Sequence, residues 1–242
     1  MQISLLHHLA PPPQALIVPI AQKTDAAAAF QFVAGKTKLP EALIKADFKA
    51  AHKEVHTLYF EENGQGKRIF LLGLGENPKP MDVLNAFRSF AFKRKNSLPD
   101  ELGIDFIHGG PNGSPATWAE AAINGILLGL YDIGLYKTSD SDDSNQPFTA
   151  DKAALQVFAP PAYAAQAQAA IDKGKALAHT QMEVFNLVNA PANKKTPQTM
   201  AEWAIQSGKK YGYQVKVLNK EEIEAQGMHA LLAVNRGSEN PP

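Results

Sequence analysis

The sequence predicts an α/β protein, in which apolar β-strands alternate with helices. Three observations carry this prediction. Short apolar or alternating runs rich in strand-forming residues recur along the first 160 residues. Segments with helical spacing of apolar side chains separate these runs. The chain of 242 residues, 45% of them hydrophobic, is long enough for one large domain or two small ones.

The first half of this pattern alternates regularly. The apolar run 15–20, the alternating run 55–60 and the apolar run 67–73 are predicted strands. Asp25 precedes four alanines and predicts a capped helix. Pro40 takes an early helical position in a short helix over 40–46.

The pattern continues to residue 158. Residues 81–95 have helical spacing and end in a basic turn, as suits a helix C-terminus. Residues 104–107 and 153–158 are predicted strands on either side of a long helix over 115–131. That helix carries a stripe of small residues, including Gly125 and Gly129, which predicts close packing of two helix backbones.

A different pattern begins after residue 160. The alanine-rich run from 162 to about 188 predicts a long linker helix. Thr196 as N-cap and Pro197 at the first position predict the next helix. After it, residues 213–218 are predicted as an alternating strand and residues 220–226 as a short polar helix. The apolar run 228–234 suits either a helix or a strand. We therefore predict an N-terminal α/β domain, a linker helix and a second α/β segment over 1–160, 161–188 and 189–242.

Composition and charge exclude several classes of protein. The chain has no cysteine, so a disulfide framework, a cysteine zinc site and a cysteine nucleophile are impossible. The 24 basic and 24 acidic residues give a formal net charge of zero, which argues against a polycation that coats nucleic acid. All eleven aspartates lie at or before Asp172, so the last seventy residues contain no aspartate.

The sequence also bears on the compartment. The N-terminus, Met1–Pro13, lacks the basic start and uninterrupted apolar core of a signal peptide. The longest apolar runs fall far short of the roughly 20 residues that a membrane span needs. We predict a cytoplasmic protein with no membrane partner.

Two segments contain residue types that bind metals, and neither completes a motif. His52 and His56 are four residues apart, but a zinc-protease helix needs glutamate directly after the first histidine, where Lys53 stands. The acidic run 139–145 resembles the start of a calcium loop but lacks its glycine and closing glutamate. We interpret the first as surface histidines and the second as a solvated loop.

Two glycine segments follow predicted strands. Gly73 and Gly75 begin a dinucleotide-binding pattern, but Pro78 occupies the place of its third glycine. The segment 108–113 is a glycine loop that suits an anion or a plain strand-to-helix turn, and we favour the turn. No Ser–His–Asp signature is present, so the residues alone assign no catalytic, cofactor-binding or metal-binding side chain.

The second segment carries a long and ordered series of motifs. Its junction, Phe185-Asn-Leu-Val-Asn-Ala-Pro-Ala-Asn-Lys-Lys-Thr-Pro197, resembles the N-x-P-x-N-x-x-T-P sequence of the leucine aminopeptidase (cytosol aminopeptidase) family. The resemblance continues at correct spacing through 200–204, 215–218, 227–238 and 241–242. Upstream, residues 70–76 resemble the family's Gly-Leu-Gly-Glu strand end, and 120–131 its domain-closing helix.

The resemblance implies both fold and function. It implies an N-terminal mixed-sheet α/β sandwich of macro-like type, followed by the beginning of a metallopeptidase domain. The family's members are cytoplasmic homohexamers that remove N-terminal residues from peptides, with two divalent cations, manganese or zinc, at the active site. The metals activate a bridging water and polarise the scissile carbonyl.

The family's ligand motifs are missing from this sequence. They have the forms V-G-K-G-x-x-F-D-x-G-G, M-K-x-D-M-x-G-A and N-T-D-A-E-G-R, and none occurs in residues 1–242. No catalytic or metal residue is therefore carried over. We expect this chain to be the N-terminal portion of a two-metal leucyl aminopeptidase. Alone, it should bind no metal and have no peptidase activity, and the sequence does not determine its oligomeric state.

Two alternatives remain open. In the first alternative, the chain is a regulatory, interaction or DNA-binding module. Some family members bind DNA, and Lys93-Arg94-Lys95 forms a basic cluster in this chain. In the second, the natural gene product is a degenerate homologue that ends at Pro242. The open reading frame beyond that codon separates the second alternative from truncation.

Overall fold

The protein is described by a computed structural model over residues 1–9, 11–22, 26–110, 115–132 and 153–242. It comprises two compact units, Met1–Glu183 and Val184–Pro242. The predicted α/β class is confirmed by a six-stranded mixed sheet in the first unit. The boundary between the units falls inside the long helix that was predicted as a linker.

The strands are β1 Gln2–Leu6, β2 Ala15–Gln22, β3 Val55–Glu62, β4 Gln65–Glu76, β5 Glu101–Asp105 and β6 Ala154–Phe158. Their order across the sheet is β1-β6-β5-β2-β4-β3. All neighbours pair in parallel except β3 and β4, which form an antiparallel hairpin at one edge. The sheet is therefore mixed, as the family resemblance implies.

The helices of the first unit are α1 Ala27–Thr37, α2 Glu41–Asp47, α3 Pro80–Arg94, α4 Pro115–Leu130 and most of α5, which spans Ala164–Asn189. The second unit contains α6 Pro197–Tyr211, α7 Lys220–Ala225 and α8 His229–Asn235. Short 3₁₀ turns at Pro161–Tyr163 and Ala192–Lys194 precede α5 and α6.

The sheet has an apolar core on each face. Strand β2 is buried on both faces, because Ile17 contributes to one core and Val18 to the other. On the first face the sheet packs with α3, α4 and α5, and on the second face with α1 and α2. Burial on both sides explains why the central strand is continuously apolar rather than alternating.

Glycines bring α4 into close contact with its neighbours. A Cβ at Gly125 would clash with the carbonyl oxygen of Leu84, and one at Gly129 would lie 2.5 Å from that of Arg88. Both carbonyls belong to α3, so the predicted small-residue stripe does allow two helix backbones to approach. On α5, Gly174 does the same, since its Cβ would lie 2.7 Å from the carbonyl oxygen of Glu120.

A charged cluster joins α1 to the β3–β4 hairpin. Lys36 donates a hydrogen bond of 2.6 Å to Glu62, whose other oxygen lies 3.4 Å from the Nζ of Lys67. Lys67 is 8% exposed and also donates to the carbonyl of Pro12. The hydrogen bond from Lys36, together with the two positive charges, holds the pKa of Glu62 below its ordinary value, although burial opposes this.

Three element predictions need correction or extension. The alternating segment 213–218 forms no strand, because alternation produces a strand only where another backbone supplies hydrogen bonds, and no strand occurs in the second unit, 184–242. The apolar run after Met228 is the helix α8. Strand β1, which no sequence pattern predicted, pairs with β6 at the sheet edge.

We predict that Gly125→Ala lowers the free energy of unfolding of the first unit by about 1–3 kcal/mol, because the added methyl overpacks the α3–α4 contact. Chemical denaturation followed by circular dichroism measures the change. Gly35→Ala on α1 is the matched control, since a Cβ there meets nothing within 4 Å. It should stabilise by up to about 1 kcal/mol, and equal losses in both variants would contradict the packing argument.

We predict that Glu62→Gln destabilises the protein by about 1–2 kcal/mol at neutral pH, because it removes the carboxylate that accepts from Lys36 and forms an ion pair with Lys67. The folded pKa of Glu62 lies below its ordinary value of 4.5, so its stabilisation is present above that value. It is lost as the pH falls through the folded pKa.

Denaturation curves at several pH values test this dependence. The difference between wild type and Glu62→Gln should shrink in acid, whereas a constant difference would exclude ionisation as its source. Glu41→Gln is the control, because Glu41 pairs with Lys45 on an exposed helix face at 2.7 Å. Such a pair contributes only about 0.5 kcal/mol.

Candidate functional site

The strand order creates a switch point between β2 and β5. These strands are parallel neighbours, with Ile17 opposite Ile104. From β2 the chain passes to α1 and α2 on the second face, whereas from β5 it passes to α4 on the first face. In open α/β sheets, the crevice at the carboxyl ends of two such strands is the usual place for a ligand.

An Asp–His pair lies at this switch point. Asp105, the last residue of β5, is fully buried. Its Oδ1 accepts hydrogen bonds from the backbone N–H groups of Ile107 and His108 at 2.8 and 3.1 Å. Its Oδ2 lies 2.8 Å from Nδ1 of His108. The ring of His108 stacks on Phe32 of α1, with ring centroids 4.2 Å apart and planes 10° from parallel.

This arrangement orients the imidazole. With Nδ1–H donating to Asp105, the neutral ring presents Nε2 as a hydrogen-bond acceptor. Gly110 donates its N–H to the carbonyl of Pro19 at 2.6 Å and ties the same loop to β2. The loop after β5 is therefore fixed by three hydrogen bonds to the carboxylate of Asp105 and by the stacking of His108 on Phe32. These three residues are the candidate site of this unit.

The structure separates the candidate metal ligands. His52 lies in the turn before β3 and His56 lies within β3, so no helix places their rings on one face. Across residues 1–9, 11–22, 26–110, 115–132 and 153–242, no three His, Asp or Glu side chains are grouped to hold a metal ion. These residues do not fit a two-cation site, and no catalytic step is assigned to them.

Gly73, which ends the predicted strand 67–73, and Gly75 have a structural role. Strand β4 extends to Glu76, and a Cβ at Gly73 would clash with the backbone carbonyl of Ala51. The glycine at this position is thus required by the close approach of another backbone segment. No turn for a phosphate opens here, since Gly75 is still paired with Ala21 in the sheet.

Three predictions fall outside the described residues. These are the N-cap at Asp25, the end of the glycine loop at 111–113 and the acidic run 139–145. They stay predictions.

The three basic residues at the end of α3 have different surroundings. The guanidinium of Arg94 lies 5.1 Å from the ring centroid of Phe70, and Lys95 Nζ lies 5.7 Å from that of Phe92. Lys93 is exposed. DNA binding by this cluster stays a prediction.

The junction motif forms a well-capped helix start. Thr196 Oγ1 accepts a hydrogen bond of 3.2 Å from the N–H of Thr199, whose own hydroxyl accepts one of 2.9 Å from the N–H of Thr196. Pro197 takes the first helical position, as predicted. Gly212 ends α6 in the left-handed conformation, with φ of 78°. The threonine and proline of the motif therefore set where α6 begins.

Comparison with known families decides the relationship. The model of the cytosol aminopeptidase family's N-terminal domain matches residues 17–140, and that of the family's catalytic domain matches residues 184–242. The chain belongs to the cytosol aminopeptidase family. Within it, the chain is 33% identical over 215 residues to the probable cytosol aminopeptidase of Chlorobium limicola and 32% identical over 240 residues to that of Chloroherpeton thalassium.

These matches cover most of this chain and less than half of each relative. They span 84% and 94% of the chain but 42% and 47% of the two relatives. Among solved structures, a mutant of tomato leucine aminopeptidase superposes with a TM-score of 0.76 at 20% identity, over all of this chain and 49% of that one. The bottromycin maturation enzyme BotP in complex with Mn gives 0.68 at 19% identity, over 94% and 43%.

The structure brings together residues that sequence reasoning did not connect. An aspartate that ends a strand and is followed three residues later by histidine is a signal for a local Asp–His pair. No local pattern connects Phe32 with His108, because they are far apart in sequence and meet only through packing of α1 against the sheet.

Within the described helices, none is both long and apolar enough to cross a membrane.

We predict that Asp105→Ala destabilises the first unit by about 2–4 kcal/mol, because the substitution leaves the partners of a buried carboxylate unpaired. Asp105→Asn should cost less, since its carbonyl oxygen still accepts from the two backbone N–H groups. Thermal and chemical unfolding measure both changes. Asp172→Ala on the exposed face of α5 should stay within about 0.5 kcal/mol of wild type, and a loss there equal to that of Asp105→Ala would contradict the assignment.

Proposed function

We propose that this chain is the N-terminal part of a metal-dependent leucyl aminopeptidase, an enzyme that hydrolyses N-terminal residues from peptides. One observation carries the proposal: the models of the family's two domains match in family order, 17–140 and then 184–242. The share of each relative that is covered, 42% and 47%, agrees with a protein about twice as long. The structure of BotP with Mn supports a divalent cation in the longer protein.

The first unit has a structural or docking role in this proposal. Residues 1–160 would form the N-terminal domain, residues 161–188 the linker helix and residues 189–242 the opening of the catalytic domain. Two divalent cations, manganese or zinc, would be held by residues beyond Pro242, since the family's three ligand motifs do not occur in residues 1–242. There the cations would supply an activated water and a polarised carbonyl.

The longer protein would work in the cytoplasm as a homohexamer with peptides as substrates. The name of its relatives, cytosol aminopeptidases, supports the compartment. The assembly follows from the family resemblance. Sedimentation of the longer protein tests it, because a monomeric enzyme with full activity would contradict the hexamer.

We predict that the purified 242-residue chain does not hydrolyse leucyl-p-nitroanilide in the presence of Mn²⁺, whereas the longer protein does. The physical reason is the absence of the ligand motifs from the shorter chain. The release of p-nitroaniline measures turnover, and added EDTA shows whether turnover depends on metal. Metal-dependent turnover that co-purifies with the 242-residue chain would overturn the assignment of the active site to later residues.

The gene provides the companion test. We expect the reading frame to continue past codon 242 and to encode the three ligand motifs. A stop codon there would exclude the peptidase and would favour a non-catalytic homologue.

A further inference from the structure

A basic groove lies between the end of α3 and the beginning of β3. Its volume is about 390 Å³, which is within the range of small-ligand sites in proteins. Three basic residues and two serines line it: Lys53, Lys93, Arg94, Ser89 and Ser97. The remaining lining is apolar, and no acidic residue contributes to it. In a chain with a net charge of zero, this is a local concentration of one sign.

Arg94 is held in place by aromatic rings. Its guanidinium lies 5.1 Å from the ring centroid of Phe70 and 6.0 Å from that of Phe90. Both phenylalanines are buried and meet edge to face at 5.1 Å. At such distances a guanidinium is attracted to the face of an aromatic ring. The ring contacts therefore hold this guanidinium beside the groove that Arg94 lines.

The cations of the groove have no acidic partner in the part of the chain that the structure describes. None of its ion pairs includes Lys53, Lys93 or Arg94. Glu54 follows Lys53 in sequence, but its carboxylate accepts hydrogen bonds from the backbone N–H groups of Lys49 and Ala51. The positive charge of the groove is thus available to an anion from solution.

Lys53 occupies a backbone position that does not favour lysine. Its φ is 66°, in the left-handed region where glycine and asparagine are the usual residues. Its N–H donates to the carbonyl of Gly73 at 2.9 Å, which holds the turn in this conformation. Strain of this kind occurs frequently at binding sites. A residue better suited to the backbone would remove the ammonium group from the groove.

The position at a helix C-terminus explains only part of the groove. Basic residues in a last turn offset the partial negative charge of the helix end, and this accounts for Lys93 and Arg94. It does not account for Lys53, which comes from a different element. Ser97 belongs to the helix end, because its hydroxyl donates to the carbonyl oxygen of Arg94 at 3.1 Å, and its own carbonyl accepts a 2.9 Å hydrogen bond from Arg68.

We propose that this groove binds a small phosphate-bearing solute. Arginine and lysine bind phosphate oxygens, and arginine is able to bind two oxygens at once. The apolar lining would contact the organic part of such a ligand. A small solute fits better than a nucleic-acid strand, because Lys95 is directed to Phe92 and lies outside the groove, so the cations do not continue along the helix.

Calorimetric titration of the 242-residue chain with pyrophosphate tests the proposal. We expect saturable binding at one site, weakened roughly ten- to a hundredfold by Lys53→Gly or Lys93→Gln, since each variant removes one charged contact. Lys95→Gln is the matched control and should bind as wild type does. Lys53→Gly also separates binding from folding, because glycine suits the positive φ and its melting temperature should not fall.

Three results would overturn the proposal. One is a titration without saturation at millimolar pyrophosphate. Another is equal weakening by Lys95→Gln and by the groove variants, which would indicate only general attraction of anions. The third is binding of a single-stranded oligonucleotide with no binding of pyrophosphate, which would assign the basic end of α3 to nucleic acid.

Discussion

The close contact between α3 and α4 is the constraint on which the first unit depends. Two glycines one helical turn apart, Gly125 and Gly129, remove the side chains that would hold these helix backbones apart. Helix α5 packs closely on α4 through Gly174, beside the carbonyl oxygen of Glu120. Because α3 is fixed from one side by α4 and from the other by the sheet, its last turn occupies a defined position beside β3. The basic groove exists only because that turn is held there.

Much of this fold was predictable because it follows from local patterns. Buried strands such as β2 and β4 are apolar runs, and helices such as α4 and α6 have clear spacing, small-residue stripes or caps. Prediction failed where a partner decides the outcome. Strand β1 is short and half-buried, and it becomes a strand by pairing with β6. The segment 213–218 has the alternation of a strand, but no strand of its unit pairs with it.

The functional features were also predictable only where they depend on residues close together in sequence. The junction at 185–197 was recognisable because its residues are consecutive and because Thr196 and Pro197 act locally at a helix start. The Asp105–His108 pair is also local, and its aspartate stands at a strand end. The contact of Phe32 with His108 and the placement of Lys53 and Arg94 around one groove depend on tertiary packing. No spacing in the sequence indicates either one.

The charged cluster at the β3–β4 hairpin also constrains which residues pair. Glu62 and Lys67 lie on the second face of the sheet, beside the pair formed by Phe60 and Lys67. Strand β4 is also held by β2, so a slip of the hairpin by one residue would turn Glu62 of the edge strand to the other face, since side chains alternate along a strand. The ammonium group of Lys67 would then lose its carboxylate partner. The apolar pattern and this buried charge thus specify the same register, so a misaligned hairpin would carry an unpaired charge as well as misplaced apolar side chains.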